Sequence, residues 1–238
     1  MLLSNHIMTI SPLYEVLVFI EDKGSATVPD LIIHGKNQVR GILGKMEAMK
    51  LLEKNDKSYT LSQAGQSFLN SVLDVLHQPT LHWDKKWRFV SFSISEKNRS
   101  KRDKFRRELE GLGLRPYLNS YWITPLDLSR EIIDKARQLG VEKEVIVIES
   151  DAIIGKDDID LIQNWDFEKS RALLEEFTVK SEALITNRNR TPYDIKLMIF
   201  NYALILNSQP RLPIELMPKD WPQFRANLQY KKVRRLLS

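Results

Sequence analysis

The chain has 238 residues, of which 42% are hydrophobic, and a formal net charge of +5. This is enough apolar material for one large core or two to three small ones. The absence of cysteine excludes disulfides, a thiol nucleophile and a zinc–thiolate finger, and four scattered histidines predict no metal site. The apolar run Leu13 to Ile20 is short, is interrupted by Glu15 and lacks a basic leader. We therefore expect no signal peptide or membrane span, and a cytoplasmic location.

Residues 37 to 69 predict a helix, a short hairpin and a second helix. The first helix is indicated by apolar residues at three- and four-residue spacing, namely Val39, Ile42, Leu43, Met46 and Met49. The runs 51–52 and 59–61 predict two strands around a turn at 55–58, and Ser62 predicts an N-cap for the next helix. With a further apolar helix around 10–20, this order predicts a winged helix-turn-helix domain over residues 1–78.

Basic residues of this segment cluster on the predicted recognition helix and on the wing, although the segment is not basic overall. Such local clustering favours contact with DNA phosphates. Lys36, Asn37, Gln38 and Arg40 are expected to read base edges and backbone. We expect Lys45, Lys54 and Lys57 to anchor phosphates and Tyr59 to brace the wing.

Two glycines lie inside the predicted recognition helix, where each costs about 1 kcal/mol relative to alanine. Gly41 and Gly44 either let the helix approach DNA closely or pack tightly on the preceding helix. Both interpretations stay open. A winged helix that docks onto protein instead of DNA is the alternative for the whole segment.

Residues 79–150 show a different pattern, beginning at Pro79. Strands are predicted at 87–94, 117–123 and 144–149, and helices at 98–112 and 128–139. This alternation predicts a ferredoxin-like α+β domain, although a fourth strand is not evident. Arg99, Lys101, Arg102 and Arg106 on the first of these helices offer a possible second nucleic-acid surface. The alternative is a solvated helix face paired with neighbouring acidic residues.

Residues 151–238 return to a helical pattern, predicting a C-terminal helical domain and an overall α+β class. Ile195 to Leu206 is the most apolar stretch, and Gln229 to Leu237 is a basic amphipathic tail. The acidic run 157–160 is typical of a helix start, where the dipole stabilises negative charge, rather than of a metal site. No cofactor or metal is predicted.

Three stretches resemble the PaaX-type family of transcriptional repressors. They are VRGILGKM from Val39, then Trp83-Asp84 with the run Trp87–Gly113 and YWITP from Tyr121, and LPIELMPKDWP from Leu212. The resemblance implies a winged-helix DNA reader, a middle ferredoxin-like domain, a C-terminal helical domain and a homodimer. Founding members of the family release DNA on binding phenylacetyl-coenzyme A, so an acyl-coenzyme A-like effector is a possible partner.

The middle segment is also similar to the small nuclease of CRISPR adaptation. That family ends its first strand in Tyr-Asp-Ile, whose aspartate binds a catalytic metal, whereas this chain has Phe92-Ser93-Ile94. Serine lacks the anionic oxygen that Mg²⁺ favours, and Glu96 is the nearby substitute.

We therefore expect a non-enzymatic, homodimeric transcriptional regulator, a repressor that binds palindromic double-stranded DNA. A metal-dependent nuclease and a protein-docking module are the two alternatives.

Overall fold

The computed structural model describes residues 11–34, 36–118 and 121–237, and the side chains of these residues except 32–34, 36 and 37. The described chain is of mixed α+β class and contains two antiparallel sheets, which confirms the expected class. No helix in these ranges is long and apolar enough to cross a membrane.

The helices, in chain order, are α1 (Pro12–Lys23), α2 (Lys36–Ala48), α3 (Gln63–Leu73), α4 (Arg99–Gly111), α5 (Ser129–Leu139), α6 (Asp158–Ile162), α7 (Glu168–Thr186), α8 (Pro192–Ser208) and α9 (Gln223–Arg234). The strands are β1 (Ala26–Thr27), β2 (Leu52–Asn55), β3 (Ser58–Leu61), β4 (Trp87–Phe92), β5 (Arg115–Tyr117), β6 (Tyr121–Thr124) and β7 (Val145–Ser150). Short 3₁₀ turns include Pro29–His34, Asp74–His77 and Glu142–Glu144.

The chain divides into two compact units. Unit 1 comprises the described parts of Met1–Gln78, Glu168–Gln209 and Pro222–Ser238, and unit 2 comprises Pro79–Phe167 and Pro210–Trp221, without the undescribed residues 119 and 120. The first boundary between the units falls after Gln78, and residues 151–238 are divided between the two units. The expected three-domain organisation stays a prediction.

The described part of unit 1 includes α1, and its small sheet has the strand order β1-β3-β2. The helix, hairpin and second helix expected over 37–69 are confirmed as α2, β2–β3 and α3. Ser62 is the N-cap of α3 because its hydroxyl accepts the Gly65 N–H at 3.0 Å. The strand β1, which pairs with β3, was not foreseen.

Helix α8 completes the core of unit 1. Thr191 and Asp194 form a capping box at its start, with Pro192 in the first turn. The Phe200 ring lies 5.5 Å from the ring of Tyr14 on α1, and Tyr14 in turn stacks on Phe68 of α3. The buried helix expected at 195–206 is thus confirmed, and its apolar surface covers the N-terminal helices.

Unit 2 contains the four-stranded antiparallel sheet, in the order β5-β6-β4-β7. Helices α4 and α5 cover one face, where Val90, Phe105 and Ile132 are fully buried. Part of the other face is covered by Leu161, Trp165, Leu212 and Leu216, which pack with Trp87 and Ile123.

The single strand expected at 117–123 is wrong, because this stretch belongs to two paired strands, β5 and β6. The chain reverses between them, and Leu118 adopts φ +49° without being glycine. Strand β5 supplies the fourth strand that the sequence pattern did not show.

Candidate nucleic-acid interface

Helix α2 has one buried and one exposed side. Val39, Leu43 and Met46 are at most 2% exposed and join the core of unit 1. Gln38, Arg40 and Lys45 are exposed. The three- and four-residue spacing that buries the apolar stripe therefore turns these polar side chains outward.

The centre of the exposed side of α2 is formed by small residues. A Cβ added at Gly41 or Gly44 would meet no described atom within 4 Å. The helical repeat places both glycines and Ala48 opposite Val39 and Leu43. The open space at Gly41 and Gly44 favours close approach of an outside molecule to α2 over tight packing within unit 1, since no described atom packs against these glycines.

The hairpin β2–β3 carries the lysines that are expected to contact DNA phosphates from the wing. Lys54 and Lys57 are exposed, and the turn residues Asn55 and Asp56 are exposed with them. Asp56 adopts φ +55°, which aspartate tolerates better than most residues. The hairpin thus ends in a short polar tip with a lysine on each strand side of the turn.

Tyr59 is buried, with 8% of its surface exposed, and it pairs across β1 with Ala26. The Lys54 ammonium nitrogen lies 5.8 Å from the centre of the Tyr59 ring. At this distance a cation–π attraction holds the lysine stem against the hairpin. Because Tyr59 is buried, its position fits the expected role of bracing the wing rather than a direct contact with DNA.

The hairpin is fixed to α2 and α3 by hydrogen bonds around Lys50 and Leu51. The Ser62 hydroxyl donates to the Lys50 carbonyl at 2.6 Å, and the Ser62 N–H donates to the Leu51 carbonyl at 3.1 Å. Lys50 adopts φ +58°, which ends the helix and turns the chain into β2. Gly65 is buried so close to Leu51 that an added Cβ would overlap the Leu51 carbonyl oxygen.

Two expected contact residues, Lys36 and Asn37, form the first turn of α2. Their side chains lie outside the described residues. Their expected roles stay predictions.

The basic residues expected on α4 fall into two groups. Arg102 is only 22% exposed in its side chain and pairs with Glu96 at 2.8 Å, and Arg99 lies 3.8 Å from Asp103. Lys101 and Arg106 are exposed, and no ion pair is described for either. Two of the four basic residues of this proposed surface, Arg99 and Arg102, therefore form ion pairs with acidic residues of the same segment.

Arg88 is a buried charge that the sequence pattern did not reveal. Its side chain is 2% exposed, and its guanidinium donates to both carboxylate oxygens of Asp84. Further acceptors are the carbonyls of Lys86 at 3.2 Å and Pro125 at 3.4 Å. The hydrogen bond from Arg88 lowers the pKa of Asp84, and the same bond raises the pKa of Arg88.

The residues considered for a nuclease site do not converge on a metal. Ser93 is exposed just after β4, and its N–H donates to the Glu144 carbonyl at 3.0 Å. Glu96 is engaged by Arg102. Within the described ranges no three His, Cys, Asp or Glu side chains are grouped closely enough to hold a metal ion.

The middle of the chain is similar to a known family of domains. Residues 80–162 match the family model described as the PaaX protein central Cas2-like domain. This match confirms both resemblances stated for the segment, to PaaX-type proteins and to the CRISPR-adaptation nuclease fold.

Comparison with whole proteins adds less. No curated protein is significantly similar to the chain. Among solved structures, the uncharacterized protein Rv0674 from Mycobacterium tuberculosis aligns over 85% of this chain and 81% of its own length. The sequence identity is 17% and the TM-score is 0.49.

Proposed function

We propose that the chain is a sequence-specific DNA-binding transcriptional regulator of the PaaX type, acting as a homodimeric repressor in the cytoplasm. In this proposal α1, α2 and the hairpin β2–β3 form a winged helix-turn-helix. Helix α2 enters the major groove, and the hairpin is the wing that contacts the flanking phosphates. The match to a central domain of PaaX-type proteins supports this class of function.

The exposed side of α2 is the observation that carries the proposal. Its small central residues, Gly41 and Gly44, have no described atom near them. Arg40 and Lys45 are exposed on either side of that row. Such a surface lets a helix backbone lie deep in a groove while cations reach the groove walls.

The homodimer follows from the small number of base pairs that one winged helix can read. A two-fold pair would bind a palindromic operator. Release by an acyl-coenzyme A-like effector is proposed from the family resemblance alone.

The nuclease remains the second candidate, and it has the weaker support. Its aspartate is replaced by Ser93, and the substitute Glu96 is engaged by Arg102. We therefore propose a binding protein and not an enzyme. Incubation of duplex DNA with the protein and Mg²⁺ or Mn²⁺ tests this, because specific cleavage would overturn it.

Fluorescence anisotropy with duplex DNA from upstream of the protein's own gene tests DNA binding directly. A shuffled duplex of the same composition is the DNA control. Arg40→Ala is expected to weaken binding by about 1–3 kcal/mol, because a base contact is lost. Arg188→Ala, at an exposed arginine of unit 1 in the loop between α7 and α8, is expected to leave the affinity unchanged.

Two results would contradict the proposal. One is equal affinity for the native and shuffled duplexes. The other is an affinity that does not fall between roughly 50 and 200 mM salt, because phosphate contacts always carry a salt dependence.

A further inference from the structure

Helix α9 carries an outward row of side chains that is apolar at one end and basic at the other. Phe224 is 73% exposed and Leu228 is 46% exposed. Lys231 and Arg235 are exposed as well, and the helical repeat places all four side chains along one line, called here the α9 row. Apolar residues scattered singly on a surface need no explanation, whereas two neighbours that continue into a basic cluster indicate a contact surface.

The inner side of α9 fixes the direction in which this row points. The Tyr230 ring stacks on Tyr202 of α8 with 4.9 Å between the ring centres, and Val233 is fully buried. The Gln229 amide nitrogen donates to a carboxylate oxygen of Glu182 on α7 at 2.9 Å. Because these contacts anchor α9 on its buried side, the α9 row faces away from α7 and α8.

The charge around the α9 row has one sign. Residues 221–238 contain five lysines and arginines and no aspartate or glutamate, and the five are Arg225, Lys231, Lys232, Arg234 and Arg235. All five are exposed, and within the described part of the chain no ion pair engages any of them. The helix dipole stabilises cations at the C-terminus of α9, which accounts for part of the cluster. The dipole gives no reason for Phe224 and Leu228 to be exposed beside it.

The combination of apolar and basic side chains selects among anionic partners. The phosphates of duplex DNA attract cations but give Phe224 and Leu228 no apolar surroundings. A partner helix buries its apolar side chains in a groove, whereas the α9 row is the convex side of a single helix. An anionic lipid surface offers headgroup phosphates to the cations and an acyl boundary to the apolar side chains, in a plane that a convex helix can enter.

We propose that the α9 row binds the surface of membranes that contain anionic phospholipids. Phe224 and Leu228 enter the boundary between headgroups and acyl chains, while Lys231, Lys232 and Arg235 stay among the headgroup phosphates. Each cation near such a surface strengthens binding about fivefold, and the burial of two apolar side chains adds to this. The contact is peripheral, because it uses one side of a helix that is packed in a folded unit. This inference goes beyond the proposed function and does not rest on it.

Co-sedimentation of the full chain with lipid vesicles tests the proposal. The probes are vesicles of phosphatidylcholine with about 30% phosphatidylserine, and vesicles of phosphatidylcholine alone. Wild type is expected to bind the anionic vesicles at least about 30-fold more tightly than the neutral ones, and less tightly as salt is added. Lys231→Ala/Lys232→Ala is expected to weaken binding to anionic vesicles about 30-fold, and Phe224→Ser about 10-fold.

The double variant Lys54→Ala/Lys57→Ala is the matched control, since it removes the same charge from two exposed lysines of unit 1. It is expected to bind anionic vesicles as wild type does. Anisotropy with duplex DNA gives the opposite expectation, because Lys231→Ala/Lys232→Ala should keep the DNA affinity that Lys54→Ala/Lys57→Ala reduces. A failure of the lipid proposal is therefore distinct from a failure of the proposed DNA binding.

No binding to anionic vesicles, or equal binding to both kinds of vesicle, would overturn the proposal. The same holds for a Lys231→Ala/Lys232→Ala protein that binds anionic vesicles as wild type does. A Phe224→Ser protein with wild-type vesicle affinity would overturn the insertion of the apolar residues. If Lys231→Ala/Lys232→Ala lowers DNA affinity as much as vesicle affinity, α9 is a general anion contact and the lipid assignment is wrong. Circular dichroism of each variant verifies that the fold is retained.

Discussion

Gly65→Ala is expected to destabilise unit 1, although alanine is the better helix former. Gly65 lies in the first turn of α3 and is buried. An added Cβ would overlap the Leu51 carbonyl oxygen and lie 3.1 Å from the Leu51 carbonyl carbon. Backbone, unlike the end of a flexible side chain, cannot move aside without shifting its own hydrogen bonds.

The magnitude follows from three contributions. Replacing glycine within a helix gains about 1 kcal/mol. Overpacking against Leu51 costs about 1–3 kcal/mol. Displacing the bonds that Ser62 makes to Lys50 and Leu51 costs about 0.5–1.5 kcal/mol each. The expected net loss in free energy of unfolding is about 3 kcal/mol.

Urea unfolding followed by far-ultraviolet circular dichroism measures this loss. All five tryptophans, at positions 83, 87, 122, 165 and 221, belong to unit 2. Tryptophan fluorescence therefore reports unit 2 in the same experiment and separates a local from a general effect. Gly41→Ala is the matched control, since its added Cβ meets no described atom and a gain of up to about 1 kcal/mol is expected. A Gly65→Ala protein as stable as wild type would refute the reasoning.

Three further predictions concern charge and shape. The double variant Lys54→Ala/Lys57→Ala should reduce the slope of log affinity against log salt by about 2, measured by anisotropy at several salt concentrations, if both lysines contact phosphates; an unchanged slope would remove the hairpin from the interface. Gly44→Leu should leave urea stability equal or higher but weaken DNA binding by at least about 10-fold, because the side chain fills the open face of α2; unchanged affinity would contradict close approach. Asp84→Asn should cost about 1–2 kcal/mol of stability near neutral pH, because it removes the carboxylate that hydrogen-bonds the buried Arg88 and leaves only the more distant Glu149 and Asp127. The value is reduced because Asp84 is 45% exposed. Because the folded pKa of Asp84 lies below the ordinary 3.8, this difference should be complete above that pH and disappear as pH falls through the folded pKa; a difference that persists in strong acid would argue against the ion pair.

The N-terminal elements were predictable because each leaves a local signal. The apolar stripe of α2, the polar turn at 55–58 and the Ser62 cap act within a few residues along the chain. Strand β1 left no such signal, since two residues are too few to show alternation.

Other features depend on contacts that are remote in sequence. The reversal between β5 and β6 has Leu118 at positive φ, where a sequence pattern would look for glycine. The ion pairs of Arg99 and Arg102 depend on how Glu96 is placed, so charge counting treated all the basic residues of α4 alike. The sequence of an amphipathic helix shows that one side is buried, but not which core that side packs against. For this reason the division of residues 151–238 between two units could not be predicted.

The interleaved order of the two units has a consequence for biosynthesis. The core that supports α1 and α3 includes Phe200, and α8 packs on α9, which ends at Arg234. A domain made from one continuous stretch can fold as soon as it leaves the ribosome. Here α1 and α3 must wait, with apolar surface uncovered, until α8 and α9 have also been made. We therefore expect nascent chains stalled before α8 to be chaperone clients, and N-terminal fragments to be poor building blocks for chimeric regulators.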